Sequence, residues 1–190
     1  MADNYLEKKM EEHRLAATTK SYSKRTTPSG DRQGTLSVKF APLRVLVSDG
    51  ATAEGEAIVK RLGAAGCRVA FISSDVKQGR ALSQISGSRF YPMSAAESVC
   101  EDIESKWGGI DAIILTGEDA SNATAVQVPQ GCIRVIAAGC NATLPDFAVP
   151  DRATVNALDT TGLEPADCAQ FCLYLCLPSS GFINRQSFRF

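Results

Sequence analysis

A strand pattern passes directly into a helix pattern between positions 44 and 66, where the chain reads RVLVSDGATAEGEAIVKRLGAAG. Arg44–Ser48 is a short run of mostly β-branched and aliphatic residues, which predicts a buried strand. Ala53–Ala65 repeats apolar residues at helical spacing, and Gly66 is the residue type that commonly ends a helix. The segment therefore predicts one strand–turn–helix step of an α/β sheet.

The same alternation continues as far as Thr116. We predict further strands at Cys67–Ser73, Arg89–Pro92 and Ile110–Thr116, and helices at Val76–Ile85 and Ala95–Trp107. Strands that alternate with helices of about ten residues imply a parallel sheet with helices on both faces. Right-handed crossovers then give a three-layer, doubly wound, Rossmann-like sheet, with a ligand crevice at the carboxyl end of the first strand.

The pattern is weaker after Gly117. We predict a loop at Glu118–Gln130, strands at Cys132–Ala138 and Gln186–Phe190, and a helix that begins at Glu164-Pro165 and ends near Leu177. Proline is favoured in the first turn of a helix, because the amide hydrogen that it lacks has no partner there. Residues 141–162 have no clear periodicity.

Residues 1–40 differ in composition from the rest. Asn4–Ala16 has helical spacing, and Thr18–Thr35 is rich in Ser, Thr, Gly and basic residues, as mobile linkers are. We therefore expect an N-terminal helix and polar linker over 1–40, and a single domain over 41–190. A helix of this length is marginal alone, so residues 4–16 are expected to dock on their own domain, a sister subunit or another protein.

The bulk composition is that of an ordinary soluble globular protein. The 190 residues carry a net charge of −1, with 44% hydrophobic and 22% charged residues, which gives no electrostatic reason to bind nucleic acid or a membrane surface. Met1–Lys9 is charged, unlike a secretory signal, and the apolar run Phe171–Leu177 is too short to span a bilayer. The seven cysteines are an odd number, so we expect reduced thiols in a cytoplasmic protein.

The order of these segments resembles the short-chain dehydrogenase/reductase family. Arg44–Gly66 is similar to the family's first strand, glycine turn and helix, and Trp107–Leu115 to the approach to its fourth strand. Glu164–Gln186 is similar to its last helix and the start of its last strand, and Asp111 resembles a structural position. The resemblance implies a Rossmann fold, NAD or NADP as cofactor, and oxidoreductase activity.

The phosphate-binding turn departs from the family pattern. T-G-x-x-x-G-x-G, which lets the backbone and a helix N-terminus approach the pyrophosphate, becomes SDGATAEG here, and only Gly55 keeps its place. Asp49 and Glu54 bring carboxylates near the expected phosphates, and like charges about 4 Å apart repel by about 1–4 kcal/mol in wet surroundings. Gly50 could restore the turn in a shifted register. We predict weakened dinucleotide binding.

The other cofactor signatures are also eroded. The resemblance aligns Ser73 and Ser74 with the ribose-binding position, and Pro92 or Met93 with an acidic adenine-binding position. Leucine, threonine, glycine and glutamate at 115–118 replace an Asn-Asn-Ala-Gly turn. The predicted crevice positions for NAD or NADP are Ser48, Asp49, Gly50, Gly55, Ser74 and Gly117.

The family's proton relay has no counterpart in this sequence. The family uses a tyrosine, a lysine four residues later that lowers its pKa, and a serine on the preceding strand. The one match to that spacing, Tyr5 with Lys9, precedes the first strand and is interpreted as chance. The stretch between Gly117 and Cys132 is too short for a missing strand and a long catalytic helix. We therefore predict no catalytic residues.

The family position of Cys132–Ala138 stays open at this point. If it is the fifth strand, Ala137 or Ala138 replaces the family's serine. If it is the sixth, Ile136 replaces an asparagine.

The last predicted helix carries a row of thiols at Cys168, Cys172 and Cys176. The i, i+4, i+8 spacing puts them on one face, and the outer pair is too far apart for an unstrained disulfide. No C-x-x-C motif or nearby histidine completes a metal site, so we predict packing against the sheet and no metal. His13, the one histidine, is predicted to be a solvated helix residue.

Three hypotheses of different class follow. The first is a non-catalytic Rossmann module that acts by binding or assembly, favoured by the missing tyrosine–lysine segment. The second is an NAD- or NADP-dependent oxidoreductase with non-standard active-site residues, favoured by fold resemblance, which does not fix function. The third is an adaptor that acts through its N-terminal helix. Because the family's catalytic helices also build its subunit interface, their loss exposes apolar surface unless something covers it, and we expect a homodimer.

Overall fold

Seven parallel strands form one sheet in the computed structural model, which describes residues 42–121, 128–146, 148 and 150–190. The strands are β1 (Arg44–Val47), β2 (Arg68–Ser73), β3 (Arg89–Pro92), β4 (Ala112–Thr116), β5 (Arg134–Gly139), β6 (Thr154–Asp159) and β7 (Gln186–Arg189). The helices are α1 (Ala53–Ala64), α2 (Val76–Ser86), α3 (Val99–Trp107), α4 (Glu118–Ser121) and α5 (Pro165–Cys176). The helix predicted at 4–16 and the linker at 18–35 lie outside the described residues.

The strand order is β3-β2-β1-β4-β5-β6-β7, and every neighbouring pair is parallel. One apolar cluster joins the sheet to α1, α2 and α5, and a second joins the opposite face to α3. The predicted doubly wound Rossmann-like sheet is confirmed. Because the strand order reverses between β1 and β4, a crevice forms beyond their carboxyl ends.

Successive side chains of β1 enter different clusters, as expected for a strand buried on both faces. Val45 and Val47 pack on the α1 and α5 side, whereas Leu46 packs on the α3 side. Buried parallel strands read as continuous apolar runs rather than alternating ones. That is why the RVLV segment is recognisable from sequence.

The strand β6 is absent from the sequence prediction, which left residues 141–162 without structure. Its sequence, TVNALD, is mostly buried, but its polar residues interrupt the apolar pattern by which a buried strand is predicted. Asn156 is buried but satisfied: its Nδ2 donates to the Ile183 carbonyl at 3.1 Å, and its Oδ1 accepts from the Gln186 amide at 3.2 Å. A buried amide side chain with these partners is compatible with a core strand.

With β6 in place, the strand predicted at Cys132–Ala138 takes the fifth position as β5. Of the two positions that the sequence left open for this strand, the structure gives the fifth. The connections that follow β4 and β5 contain little regular structure. In their described parts, the β4–β5 connection holds only the four-residue α4, and the β5–β6 connection holds no helix.

The cysteine row of α5 faces the sheet. Cys168, Cys172 and Cys176 are all buried within the apolar cluster of that face. Across the described ranges, no group of three or more His, Cys, Asp or Glu side chains is arranged to hold a metal ion. Over the same ranges, no helix is both long and apolar enough to cross a membrane.

An ion pair joins the amino ends of β1 and β4. The Arg44 amide and Nε both donate to Oδ2 of Asp111, at 2.8 and 2.9 Å, and its Nη2 donates to Oδ1 at 2.6 Å. Partial burial acts to raise the pKa of the Asp111 carboxyl, but the hydrogen bonds from Arg44 and its charge outweigh that effect. The pKa therefore lies below its usual value.

We predict that Asp111→Asn lowers the free energy of unfolding by about 1.5–3 kcal/mol at neutral pH, because charge-assisted hydrogen bonds are lost. Since the folded-state pKa is lowered, this stabilisation is fully present above the unfolded pKa of about 3.9 and is lost as the pH falls through the folded value. Urea denaturation at several pH values measures the difference. The exposed control Asp151→Asn should change stability by less than about 0.5 kcal/mol. A difference between wild type and Asp111→Asn that persists unchanged into strong acid contradicts this account.

Candidate functional site

The crevice between β1 and β4 is closed at its base by backbone and hydroxyl groups. The Ser48 amide donates to the Ile114 carbonyl at 2.9 Å, and Ser48 Oγ accepts from the Thr116 amide at 3.0 Å. Ser48 and Thr116 are both buried. The predicted crevice residue Ser48 therefore has a structural role, in which its hydroxyl joins the two strand ends.

Asp49 is fixed to the end of β4 through its backbone. Its amide donates to Thr116 Oγ1 at 3.0 Å, and Thr116 Oγ1 donates to the Asp49 carbonyl at 2.7 Å. Its side chain then bends back, and Oδ1 accepts from the Ala51 amide at 2.8 Å. An amide of the glycine turn is thus already bonded to a carboxylate of the same chain.

Gly117 brings the turn after β4 against this loop. Its φ of +63° is in the left-handed region that favours glycine. A Cβ at this position would lie 3.1 Å from Thr52 Cγ2 and 3.4 Å from Asp49 Oδ2. The Asp49 carboxylate therefore lies in the space between the two turns.

The N-terminus of α1 faces the same space, but its partners come from the chain itself. Thr52 is the N-cap, and its Oγ1 accepts from the Gly55 amide at 2.9 Å. Glu54 and Glu56 lie in the first turn, where negative charge is stabilised by the helix dipole. Glu54 Oε1 also accepts from Thr160 Oγ1 at 3.2 Å.

Both glycines of the turn are required by close packing. A Cβ on Gly50 would lie 2.4 Å from Cδ2 of Phe71, and one on Gly55 would lie 2.0 Å from the carbonyl oxygen of Asp49. The structure thus explains Gly50 and Gly55 by the approach of backbone to ring and of helix to strand. Neither glycine needs a bound ligand to explain it.

Ser74 lies apart from the other predicted residues, exposed beyond the end of β2. Its neighbour Ser73 is buried and exchanges hydrogen bonds with the Asp75 backbone. Asp75 caps α2, because its Oδ1 accepts from the amides of Lys77 and Gln78 at 2.9 Å each. The acidic residue found one step late in the sequence is therefore committed to a helix cap.

Three site residues were missed by sequence reasoning: Thr52, Thr116 and Gln78. Gln78 Nε2 lies 3.4 Å from the Ala51 carbonyl and 3.3 Å from Glu56 Oε2, so α2 holds the loop from the side. Thr52 carried a detectable signal, since a threonine directly before a helix is a preferred N-cap. Thr116 and Gln78 carried none, because their partners are distant in sequence.

A second polar group lies beyond β5 and β6. Asn141 has a φ of +56°, and its amide donates to Asp159 Oδ1 at 3.0 Å. The Thr161 hydroxyl and amide donate to the same oxygen, and with the Asn141 amide they hold the pKa of Asp159 below its usual value. The exposed thiol of Cys140 lies 3.9 Å from Thr160 Oγ1. These contacts close the turns after both strands.

The alanines that the resemblance aligns with a serine, and the tyrosines of the described ranges, lie as follows. Ala137 and Ala138 are buried in β5. Of the two tyrosines in the described ranges, Tyr91 donates to Asp102 Oδ2 at 2.5 Å, and Tyr174 lies on α5. Burial and the bond to Asp102 raise the pKa of Tyr91 to about 12. Neither tyrosine lies at the crevice.

We predict that Gly55→Ala destabilises the chain by about 1–3 kcal/mol, although alanine is the better helix former. The added methyl group must displace the Asp49 carbonyl, and with it the bond to Thr116. Thermal and urea unfolding measure the change. Gly131→Ala is the matched control, because nothing lies within 4 Å of a Cβ there. Equal effects of the two substitutions would contradict the packing role.

The solved structures similar to this chain include short-chain dehydrogenases/reductases. BdcA (YjgI) from E. coli is 17% identical with a TM-score of 0.56, and the match covers 78% of this chain and 97% of that one. A short-chain dehydrogenase/reductase from Serratia marcescens is 18% identical with a TM-score of 0.57, over 78% and 97% of the two chains. The 3-ketoacyl-(acyl-carrier-protein) reductase from Brucella melitensis, complexed with NADH, is 12% identical with a TM-score of 0.57, over 77% and 96%.

BdcA in complex with NADPH is 18% identical with a TM-score of 0.57, over 79% of this chain and 93% of that one. At these identities the likeness establishes the fold. No protein-family model and no curated protein matches the chain.

Proposed function

We propose that this chain is a non-catalytic Rossmann module that acts by binding or assembly rather than by hydride transfer. The observation that carries the proposal is the Asp49 carboxylate, which lies between the turns after β1 and β4 and accepts from the Ala51 amide. The amides of Ala51 and Gly55 already have partners in Asp49 and Thr52, and Glu54 adds a second carboxylate. This set of groups does not fit a pyrophosphate.

The absence of a helix between β5 and β6 in the described residues also supports this proposal. The family's tyrosine and lysine belong to a long helix between its fifth and sixth strands. The described residues between Gly139 and Thr154 contain no helix. Proton transfer needs a donor held within hydrogen-bond reach of the reacting group, and Tyr91 is committed to Asp102.

The second candidate is an NAD- or NADP-dependent oxidoreductase with unusual residues. Two neighbours of the same fold were solved with NADPH or NADH bound. In addition, the amides of Ala53 and Glu54 belong to the first turn of α1, at the crevice, and helix N-termini favour anions. Displacement of Asp49 would be needed before a pyrophosphate could reach them.

The two candidates predict different effects of Asp49→Gly. Removal of the carboxylate relieves a repulsion of about 1–4 kcal/mol, so the affinity for NADPH or NADH should rise about tenfold or more over wild type. Calorimetric titration and thermal shift measure it, with Asp119→Asn as the control for a lost acid in the neighbouring α4. The variant should still catalyse no NADPH oxidation with a panel of ketones and aldehydes. Tight cofactor binding by wild type, or turnover by either protein, would favour the oxidoreductase.

We also propose that the chain forms a homodimer. The strand side chains on the α3 face, such as Ile113 and Val135, are buried within the single chain, so the exposed apolar surface lies elsewhere. One apolar surface lies beside β7, where Phe171 packs edge-on against Phe188 and Phe190, and Phe190 is 68% exposed. Antiparallel pairing of β7 with a second copy, centred between Ser187 and Phe188, would place Arg189 opposite Gln186, so that no like charges meet.

Light scattering should therefore give twice the chain mass of 20.2 kDa. Phe190→Ser should raise the dimer dissociation constant at least tenfold, because a buried aromatic anchor is lost. Ile85→Ser, at a residue that is 75% exposed on α2, is the control and should leave it unchanged. The dimer would be refuted if the wild-type protein stayed monomeric at about 100 times the protein concentration used for light scattering.

A further inference from the structure

A buried arginine lies at the amino ends of the strands, on the side of the sheet away from the crevice. Arg134 is the first residue of β5, and it is only 7% exposed. Side chains alternate along a strand, and Ile136 and Ala138 belong to the cluster beneath α1 and α5, so Arg134 points to that same face. An arginine buried to this extent normally has an ionised partner.

The guanidinium of Arg134 makes little use of its donors. Its Nη1 donates to the Ile133 carbonyl at 2.8 Å, and its buried Nε has no partner. The same carbonyl also accepts from the Thr154 amide at 3.1 Å. Within the described ranges, no carboxylate lies within ion-pair distance of Arg134. A buried charge with unmet donors is costly unless another group supplies the acceptors.

A second unsatisfied group lies beside the first. Thr154 begins β6 and is the direct cross-strand neighbour of Arg134. It is 7% exposed, and its Oγ1 has no hydrogen-bond partner. Neighbouring hydroxyl and guanidinium donors on one face point to an acceptor that both would share.

Gly181 lies directly beside the guanidinium. It follows the short 3₁₀ turn Pro178–Ser180 after α5, and its φ of −60° does not require glycine. A Cβ at this position would lie 3.1 Å from Arg134 Nη2 and 3.2 Å from the Pro178 carbonyl. A methyl group there would therefore press on Nη2, and glycine keeps that nitrogen free of it.

The end of α5 explains only part of this arrangement. Helix C-termini attract cations, and the charge of Arg134 acts on the nearby Cys176 at the last turn. That attraction accounts for a positive charge at this place. It leaves Nε of Arg134 and Oγ1 of Thr154 without acceptors.

We propose that Arg134 and Thr154, reached beside Gly181, bind a small oxyanion such as a phosphate or carboxylate group. The planar guanidinium presents paired donors that match the two oxygens of either group. The site is separate from the crevice, because it lies at the amino ends of β5 and β6. Anion binding at this site does not depend on whether a dinucleotide binds at the carboxyl ends of the strands.

Thermal unfolding of the full chain tests the site, with inorganic phosphate or acetate compared against chloride at constant ionic strength. The wild-type Tm should rise by about 2–4 °C once the anion exceeds its Kd several-fold. Arg134→Met removes the donors and Gly181→Ala narrows the approach, so both should lose most of this rise. Arg152→Met removes an exposed arginine and should keep it.

Phosphate also stabilises proteins by exclusion from their surface, so the difference between wild type and variant is the relevant quantity. A response to phosphate alone or to acetate alone identifies which oxyanion the site takes. Equal rises in wild type and Arg134→Met, or no rise in wild type with either anion, would overturn the proposal. If Arg134→Met fails to fold, Gly181→Ala decides in the same way, because it leaves the guanidinium in place.

Discussion

The reciprocal hydrogen bonds between the Asp49 backbone and the Thr116 hydroxyl determine the geometry of the crevice. They fix the end of β1 to the end of β4 at the point where the strand order reverses. With the backbone held there, the Asp49 carbonyl lies close enough to α1 that only glycine fits at position 55. The side chain of Asp49 then turns back on the Ala51 amide and lies against Gly117.

In the proposed function, this arrangement separates the fold from the chemistry that commonly accompanies it. The sheet, its crossovers and the tight helix–strand contact at Gly55 are held by contacts within the chain. The groups that would meet a cofactor are bonded to one another instead: Ala51 to Asp49, and Gly55 to Thr52. A shared fold is therefore a poor guide to function here, and the site itself decides.

The sequence predicted strands β1 to β4 well and the part of the sheet from β5 to β7 less well. From Arg44 to Thr116, buried strands are apolar and helices are regular, so pattern and structure agree. The strand β6 was not predicted, because Thr154 and Asn156 interrupt its apolar run. The Ile183 carbonyl that accepts from Asn156 is also distant in sequence, so the pattern could not show that this amide is satisfied. Gly50 and Gly55 were identified as site residues by spacing, but their steric reason lies in Phe71 and Asp49, which only the structure brings close. Arg134 gave no signal in the sequence, because its burial depends on the turn after α5.

In the proposed function, the carboxylate of Asp49 takes the place of a bound phosphate. A crystal structure of the full chain, grown in millimolar NADPH, shows whether it does. We expect Asp49 Oδ1 still to accept from the Ala51 amide, with no dinucleotide in the crevice. A pyrophosphate bonded to the amides of Ala53 and Glu54, with the Asp49 side chain turned outward, would contradict it.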